Sequence, residues 1–298
     1  MKRPRPYRWF LYGCFVIARI LLPLLPLRVS QWLGRNLGRV AFWCLKSQRE
    51  LTLQHLRLAL GDAVTAVEQH HVARRAFEHL GMNGLEWLAC PKLNRTTATR
   101  WIAIDGMERV EHALARGNGI IFISAHFGNW ELLAAYFGLL GFRGGVVARR
   151  LRYPEYESWL IRARAANGVE TFVRDTNFKE LVRRLKNNQC IGIMPDQDVD
   201  SVEGVHVEFF GRPTYTPTGP AALALLTGAA MLPAFIVRED SRFRILIDEE
   251  IPVRPTGDRA RDMQDITQAW SRVTERYIRQ FPDHWVWMHR RWKTQPQH

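Results

Sequence analysis

The sequence predicts an α/β protein: a largely parallel central sheet flanked by helices, with an N-terminal helical membrane anchor. Three observations predict it. Beyond Trp101, short β-branched and aromatic runs alternate with segments whose apolar residues recur at three and four. His126, Arg149 and Asp196 stand at the carboxyl ends of three such runs, the edge at which α/β sheets present functional groups. Ahead of this region, a basic head leads into a mostly apolar stretch from Trp9 to Leu27.

The N-terminal stretch "MKRPRPYRWFLYGCFVIARILLPLLPLR" lacks the small-residue cleavage site of a secretory signal. Arg19, Pro23 and Pro26 weaken it as a membrane span. Tyr7, Trp9, Phe10 and Tyr12 beside the basic head suit a helix lying in the cytoplasmic membrane interface. Residues 1–28 are therefore expected to be an anchor and 29–298 an α/β domain whose first part, 29–100, is helical. Within that part, "VSQWLGRNLGRVAFWCLK" and "AVEQHHVARRAFEHLGMNGLEWL" read as helices.

Strand then alternates with helix. "GIIFISA" precedes a helix starting after Asn129, "GGVVAR" precedes "PEYESWLIRARAAN", and "VETFV" precedes "NFKELVRRLKNN". "CIGIMPD" leads through a polar loop to "TGPAALALLTGA", a small, apolar helix that either lines a groove or packs in the core. "MLPAFIV" and "RFRILIDEEI" read as two adjacent strands. The tail "QFPDHWVWMHRRWKTQPQH" is aromatic and basic, suited to packing as a terminal element or to lying on anionic lipid.

Composition narrows the function. Lys and Arg number 42 against 29 Asp and Glu, a net charge of +13, which calls for an acidic partner. No helix-turn-helix, zinc-finger or RNA-recognition signature accompanies the charge, so nucleic acid is not expected. An anionic membrane surface fits the apolar N-terminus better. Cys14, Cys44, Cys90 and Cys190 have no close pairing, so they read as reduced, buried hydrophobes rather than zinc ligands or a disulfide framework.

The chemistry concentrates in "IFISAHFGNWELLAAYFG", residues 121–138. The apolar strand stops at His126; Asn129 is placed to cap the following helix, and Glu131 lies in its first turn. Residues five apart in an unbroken helix sit about 140° apart around the axis and would not meet. A turn at Gly128 removes that obstacle. A carboxylate-held histidine is what a general base requires; a buried histidine ahead of a helix whose dipole favours Glu131 is the plain alternative.

With these residues in view, the chain resembles the bacterial lipid A biosynthesis (lauroyl/myristoyl) acyltransferases, within the wider lysophospholipid acyltransferase group. The resemblance spans nearly the whole length. It is carried by "QRELTLQHLRLAL" after the apolar helix, "SAHFGNWE" with its His-x4-acid spacing, "MPDQDVDSVEGVHVEFFGRP" and the closing "WVWMHRRWK". "HFGNWE" and "GVHVEFFG" are also similar to the branch that acylates phosphatidylinositol mannosides. The resemblance implies transfer of a fatty acyl group from an acyl-carrier-protein or CoA thioester to a glycolipid hydroxyl at the bacterial inner membrane, catalytic domain facing the cytoplasm. It implies neither cofactor nor metal, and no acyl-enzyme. His126 would be the base and Glu131 its orienting partner. Arg149 and Arg164 would bind acceptor phosphate or the donor's phosphopantetheine, while Asp196, Asp198 and Asn129 would belong to the substrate-binding edge. Arg164 also reads as part of a solvated helix face. Oxyanion donors stay open between the Phe127–Gly128 backbone and a nearby arginine.

Overall fold

A seven-stranded sheet organises the computed structural model, which describes residues 6–89, 94–174 and 178–296. Its strands are β1 (Ile102–Asp105), β2 (Ile120–Ile123), β3 (Gly144–Ala148), β4 (Glu170–Val173), β5 (Cys190–Ile193), β8 (Ala230–Glu239) and β9 (Arg242–Ile247). The order across the sheet is β1-β9-β8-β2-β5-β3-β4. Every neighbouring pair is parallel except β8 and β9, which form an antiparallel hairpin. Strand β2 is central and fully buried, as its unbroken Ile-Ile-Phe-Ile run requires of a parallel strand covered on both faces.

Three strands depart from the expected pattern. β1 is only four residues long, too short to register as a run. The expected polar loop after β5 folds in part into an antiparallel hairpin, β6 (Gly204–Phe209) with β7 (Arg212–Pro217). Val207 and Phe209 on one face of β6 are buried, a two-residue period that "GVHVEF" does carry.

Helices cover the sheet in the expected places: α7 (Trp130–Leu139), α8 (Pro154–Ala166), α9 (Phe178–Lys186) and α10 (Gly219–Thr227); the long α11 (Arg259–Gln280) was not anticipated. The N-terminal part is helical: α1 (Pro6–Leu21), α2 (Leu27–Cys44), α3 (Lys46–Leu60) and α4 (Ala66–Ala89), with short α5 (Arg95–Trp101) and α6 (Met107–Ala115) following. The tail packs inward. Trp285 and Trp287 are buried, and the fully buried Arg291 donates to Tyr215 O and Thr216 Oγ1, both at 2.7 Å.

The structure leaves the expected N-terminal membrane anchor unsupported as a membrane span. Among the described residues no helix is long and apolar enough to cross a membrane. With 16 residues, α1 extends about 24 Å, short of a ~30 Å hydrocarbon core, before prolines interrupt the chain. The basic head, residues 1–5, and the Tyr7 side chain lie outside what the structure describes. Helix α2 is amphipathic in the reverse of the usual sense. Ser30, Gln31, Gly34, Gly38 and Phe42 face inward, while Trp32 (64% exposed), Leu37, Val40 and Trp43 (62% exposed) face out. Glycines explain the inward choice. A Cβ on Gly38 would lie 2.2 Å from Phe77 O, and one on Gly81 of α4 would lie 2.1 Å from Gly34 O. The two helices meet backbone to backbone, the small-residue packing common between helices in lipid.

Candidate active site

Strands β2 and β5 are paired in register, Ile123 opposite Ile193. His126 and Asp196 each stand three residues beyond that pair, so the sheet itself delivers them to one another. Asp196 is buried, and its carboxylate accepts from three donors: His126 Nδ1 at 2.8 Å, the His126 backbone N–H at 2.9 Å and Trp285 Nε1 at 2.9 Å. Burial alone would push the Asp196 pKa up; the His126 charge and these hydrogen bonds overcome it and hold the group below the usual carboxylate range. The reciprocal effect acts on His126. Burial lowers its pKa, but the Asp196 charge and hydrogen bond, with a further contribution from Glu131, leave it raised above 6.5. With Nδ1–H committed to Asp196, the neutral ring carries its lone pair on Nε2.

The expected His126–Glu131 contact is therefore corrected. The turn at Gly128 exists: φ is +55°, and a Cβ there would lie 1.8 Å from Ile236 O, so only glycine fits. It nevertheless sends the two side chains to different partners. Glu131 accepts two hydrogen bonds from Arg164, from Nε at 2.9 Å and NH2 at 2.5 Å. Arg164 is buried rather than part of a solvated helix face. Asn129 caps α7 by accepting from the Leu132 N–H at 3.1 Å, and donates to Glu86 at 2.9 Å. It lies behind the site, outside the cavity lining. Asp198 likewise faces away, accepting from Thr294 N–H at 2.8 Å and Thr294 Oγ1 at 2.7 Å, and so pins the tail.

The turn is clamped from both sides. Gly128 N–H donates to His284 O at 2.9 Å, Gly128 O accepts from Asn83 of α4 at 2.6 Å, and Phe127 stacks on His284. Behind it, Glu86 and Arg238 form a buried ion pair, joined by Gln31 of α2 and by Asn83. This clamping removes one of the two alternatives left open for the oxyanion donors. The Phe127 N–H bonds to Ala125 O and the Gly128 N–H to His284 O, so this backbone is spent as an oxyanion donor.

A cavity of about 850 Å³ opens beside His126, at the upper end of ligand-site sizes. Trp130, Leu133, Phe137, Phe142, Val169 and Cys190 make much of it apolar, whereas Glu131, Arg149, Arg164, Gln197 and Arg259 supply polar groups. Arg149 lines it at an exposed position one residue beyond β3. Helix α10 contributes Ala222 and Leu223, so it lines the cavity as well as packing. Burial pushes the Cys190 thiol up to about 12, which removes it as a nucleophile. Cys14 and Cys44 are exposed rather than buried, and Cys90 lies outside the described residues.

Two residues at the site were not expected there. Gln197 Nε2 lies 3.2 Å from His126 Nε2 and 2.9 Å from His289 Nε2. The His289 ring is 5.1 Å from that of His126. The signal was present in "PDQD" and "WMHRR", motifs whose polar residues sit among buried tryptophans.

The family described as bacterial lipid A biosynthesis acyltransferase matches residues 2–294. The lipid A biosynthesis lauroyltransferase of Escherichia coli (strain K12) is 27% identical over 93% of this chain and 89% of its own. The lipid A biosynthesis palmitoleoyltransferase of the same organism is 25% identical over 91% and 87%. A phosphatidylinositol mannoside acyltransferase of Mycobacterium tuberculosis (strain CDC 1551 / Oshkosh) is 32% identical over 53% and 52%.

Proposed function

This chain belongs to the bacterial lipid A biosynthesis acyltransferase family, and from that premise we propose that it moves a fatty acyl group from an acyl-carrier-protein or CoA thioester to a hydroxyl of a lipid A precursor, with His126 as general base. The observation that carries the reading is the His126–Asp196 pair, with His126 lining a large, mostly apolar cavity. Asp196 holds the tautomer and stabilises the imidazolium; Nε2 takes the proton as the acceptor oxygen attacks the thioester carbonyl. The same nitrogen returns it to the departing thiolate. No acyl-enzyme intervenes. The cavity receives the acyl chain. Arg164 and Arg149 bind phosphate of donor or acceptor, and Glu131 acts by fixing Arg164. A lipid A-type acceptor is favoured over a mannoside because the two lipid A relatives align along about nine-tenths of the chain, the mannoside relative along about half.

The protein works on the cytoplasmic leaflet of the inner membrane. Residues 1–49 contain ten Lys and Arg and no Asp or Glu, and the outer faces of α1 and α2 are apolar. Together these suit a helix pair lying in an anionic interface. Aromatic contacts of Phe15 with Tyr156 and Trp159 tie α1 to α8, the helix that contributes Leu160 and Arg164 to the cavity wall. The test is incubation of purified protein on anionic vesicles with each thioester and with extracted glycolipid. A mass gain of one acyl chain on the glycolipid supports the reading; release of free fatty acid alone overturns it.

A further inference from the structure

We propose that Gln197 is a further catalytic residue: its side-chain amide, held by His289, caps the His126 lone pair until the acceptor hydroxyl displaces it, then donates the freed N–H to the carbonyl oxygen of the acyl group. The inference rests on the acyl-transfer reading above.

Chemistry fixes the direction of the amide. His126 Nδ1–H is spent on Asp196, leaving Nε2 an acceptor. His289 is neutral as well, its pKa lowered to about 4 chiefly by burial. One side-chain end of Gln197 lies 3.2 Å from His126 Nε2 and 2.9 Å from His289 Nε2; the His126 lone pair calls for an N–H there, and His289 accepts the second N–H in its Nδ1–H tautomer. An NH₂ group, with two hydrogens at divergent angles, satisfies both; a carbonyl oxygen would face the His126 lone pair. The shorter bond, to His289, is the anchor, and the longer one, to the base, is the one that exchanges.

The reaction needs such a donor. Attack forms a C–O bond between acceptor oxygen and acyl carbon, the acceptor proton passes to His126 Nε2, and the carbonyl electron pair becomes an alkoxide. Collapse re-forms the carbonyl, breaks the C–S bond, and the thiolate recovers the proton from Nε2. The alkoxide requires hydrogen-bond donors placed beforehand. The backbone N–H groups of the turn are already spent: His126 on Asp196, Phe127 on Ala125 and Gly128 on His284. Gln197 Nε2 lies within hydrogen-bonding distance of the atom that the acceptor oxygen must reach. Once the hydroxyl takes the lone pair, the displaced N–H is beside the carbonyl under attack. Consecutive residues of one strand end, Asp196 and Gln197, thus serve the two sides of the same imidazole.

The experiment uses full-length enzyme on anionic vesicles with the thioester and glycolipid that the parent turns over. Gln197→Met, similar in length but without a donor, should lower kcat about 10²–10³-fold and leave both KM values within about threefold. The amide N–H also favours the neutral form of His126, so its loss should raise the His126 pKa and move the acid limb of kcat/KM to higher pH. Gln197→Glu, isosteric and donor-free at neutral pH, provides a second arm should the methionine variant fold poorly, with the same loss of kcat expected. His289→Phe should lower kcat by releasing the amide, and His289→Gln, which keeps an acceptor, should recover most of it. Near-parental kcat with an unmoved acid limb in a folded Gln197 variant overturns the proposal. His126→Ala in the same assay separates the levels: an inactive His126→Ala beside an active Gln197→Met refutes only the role of the amide, whereas an active His126→Ala refutes the base assignment on which it rests.

Discussion

His126 owes its basicity to a residue seventy positions away. Asp196 raises the imidazole pKa by favouring its charged form, so base catalysis should grow as pH rises through a value above 6.5. Asp196→Asn removes the charge and lets burial dominate. The acid limb of kcat/KM should then move to lower pH while kcat falls, because the tautomer is no longer fixed. An unmoved limb would mean that Asp196 does not control the ring. The histidine itself was legible in the sequence, as the polar residue that ends a buried strand. Its partner was not. The His-x4-Glu spacing draws attention to a carboxylate nearby in the chain, whereas the actual partner depends on the register of β2 against β5, which local pattern does not encode. Glu131 turns instead to Arg164, forming a largely buried pair. Breaking such a pair strands one charge: Arg164→Met alone should cost roughly 3 kcal/mol of stability, and adding Glu131→Leu should restore most of it. If the double variant unfolds as cooperatively as the parent yet stays inactive, Arg164 serves substrate as well as structure.

At the scale of elements, the strands with β-branched runs were readable because burial on both faces leaves an apolar signature. The elements missed were a four-residue strand and a hairpin with a single buried face, both carrying weaker patterns, together with α6 and α11; in α11 the buried Met263, Ile266, Trp270 and Tyr277 do recur at helical spacing. Helix α2 shows a different limit. Its periodicity identifies it as a helix, but periodicity does not say which face turns inward. The choice was made by Gly34 and Gly38, which admit the backbone of α4 and leave the tryptophans outside. On this account Trp32→Glu together with Trp43→Glu should sharply weaken binding to vesicles containing anionic lipid while leaving circular dichroism unchanged. Undiminished vesicle binding would place the membrane contact elsewhere.

In the whole molecule, the N-terminal helices and the site are joined by packing. Helix α4 packs on α2 at one face and, through Asn83, fixes the Gly128 turn at another. The buried Glu86–Arg238 pair links that helix to β8. The C-terminal segment closes the site from the opposite side, with Trp285 on Asp196 and His289 on Gln197. Of the two readings its composition allowed, packing or a lipid surface, the tail takes the first: burying its tryptophans carries its polar residues inward to the candidate site.

The most direct test of the central claim is the turnover of His126→Ala, measured as acyl mass gained by the glycolipid on anionic vesicles. His126→Ala should fold, be unchanged in vesicle binding and thermal midpoint, and transfer about 10²–10⁴-fold more slowly. Transfer within a few-fold of the parent would contradict the assignment of His126 as the base.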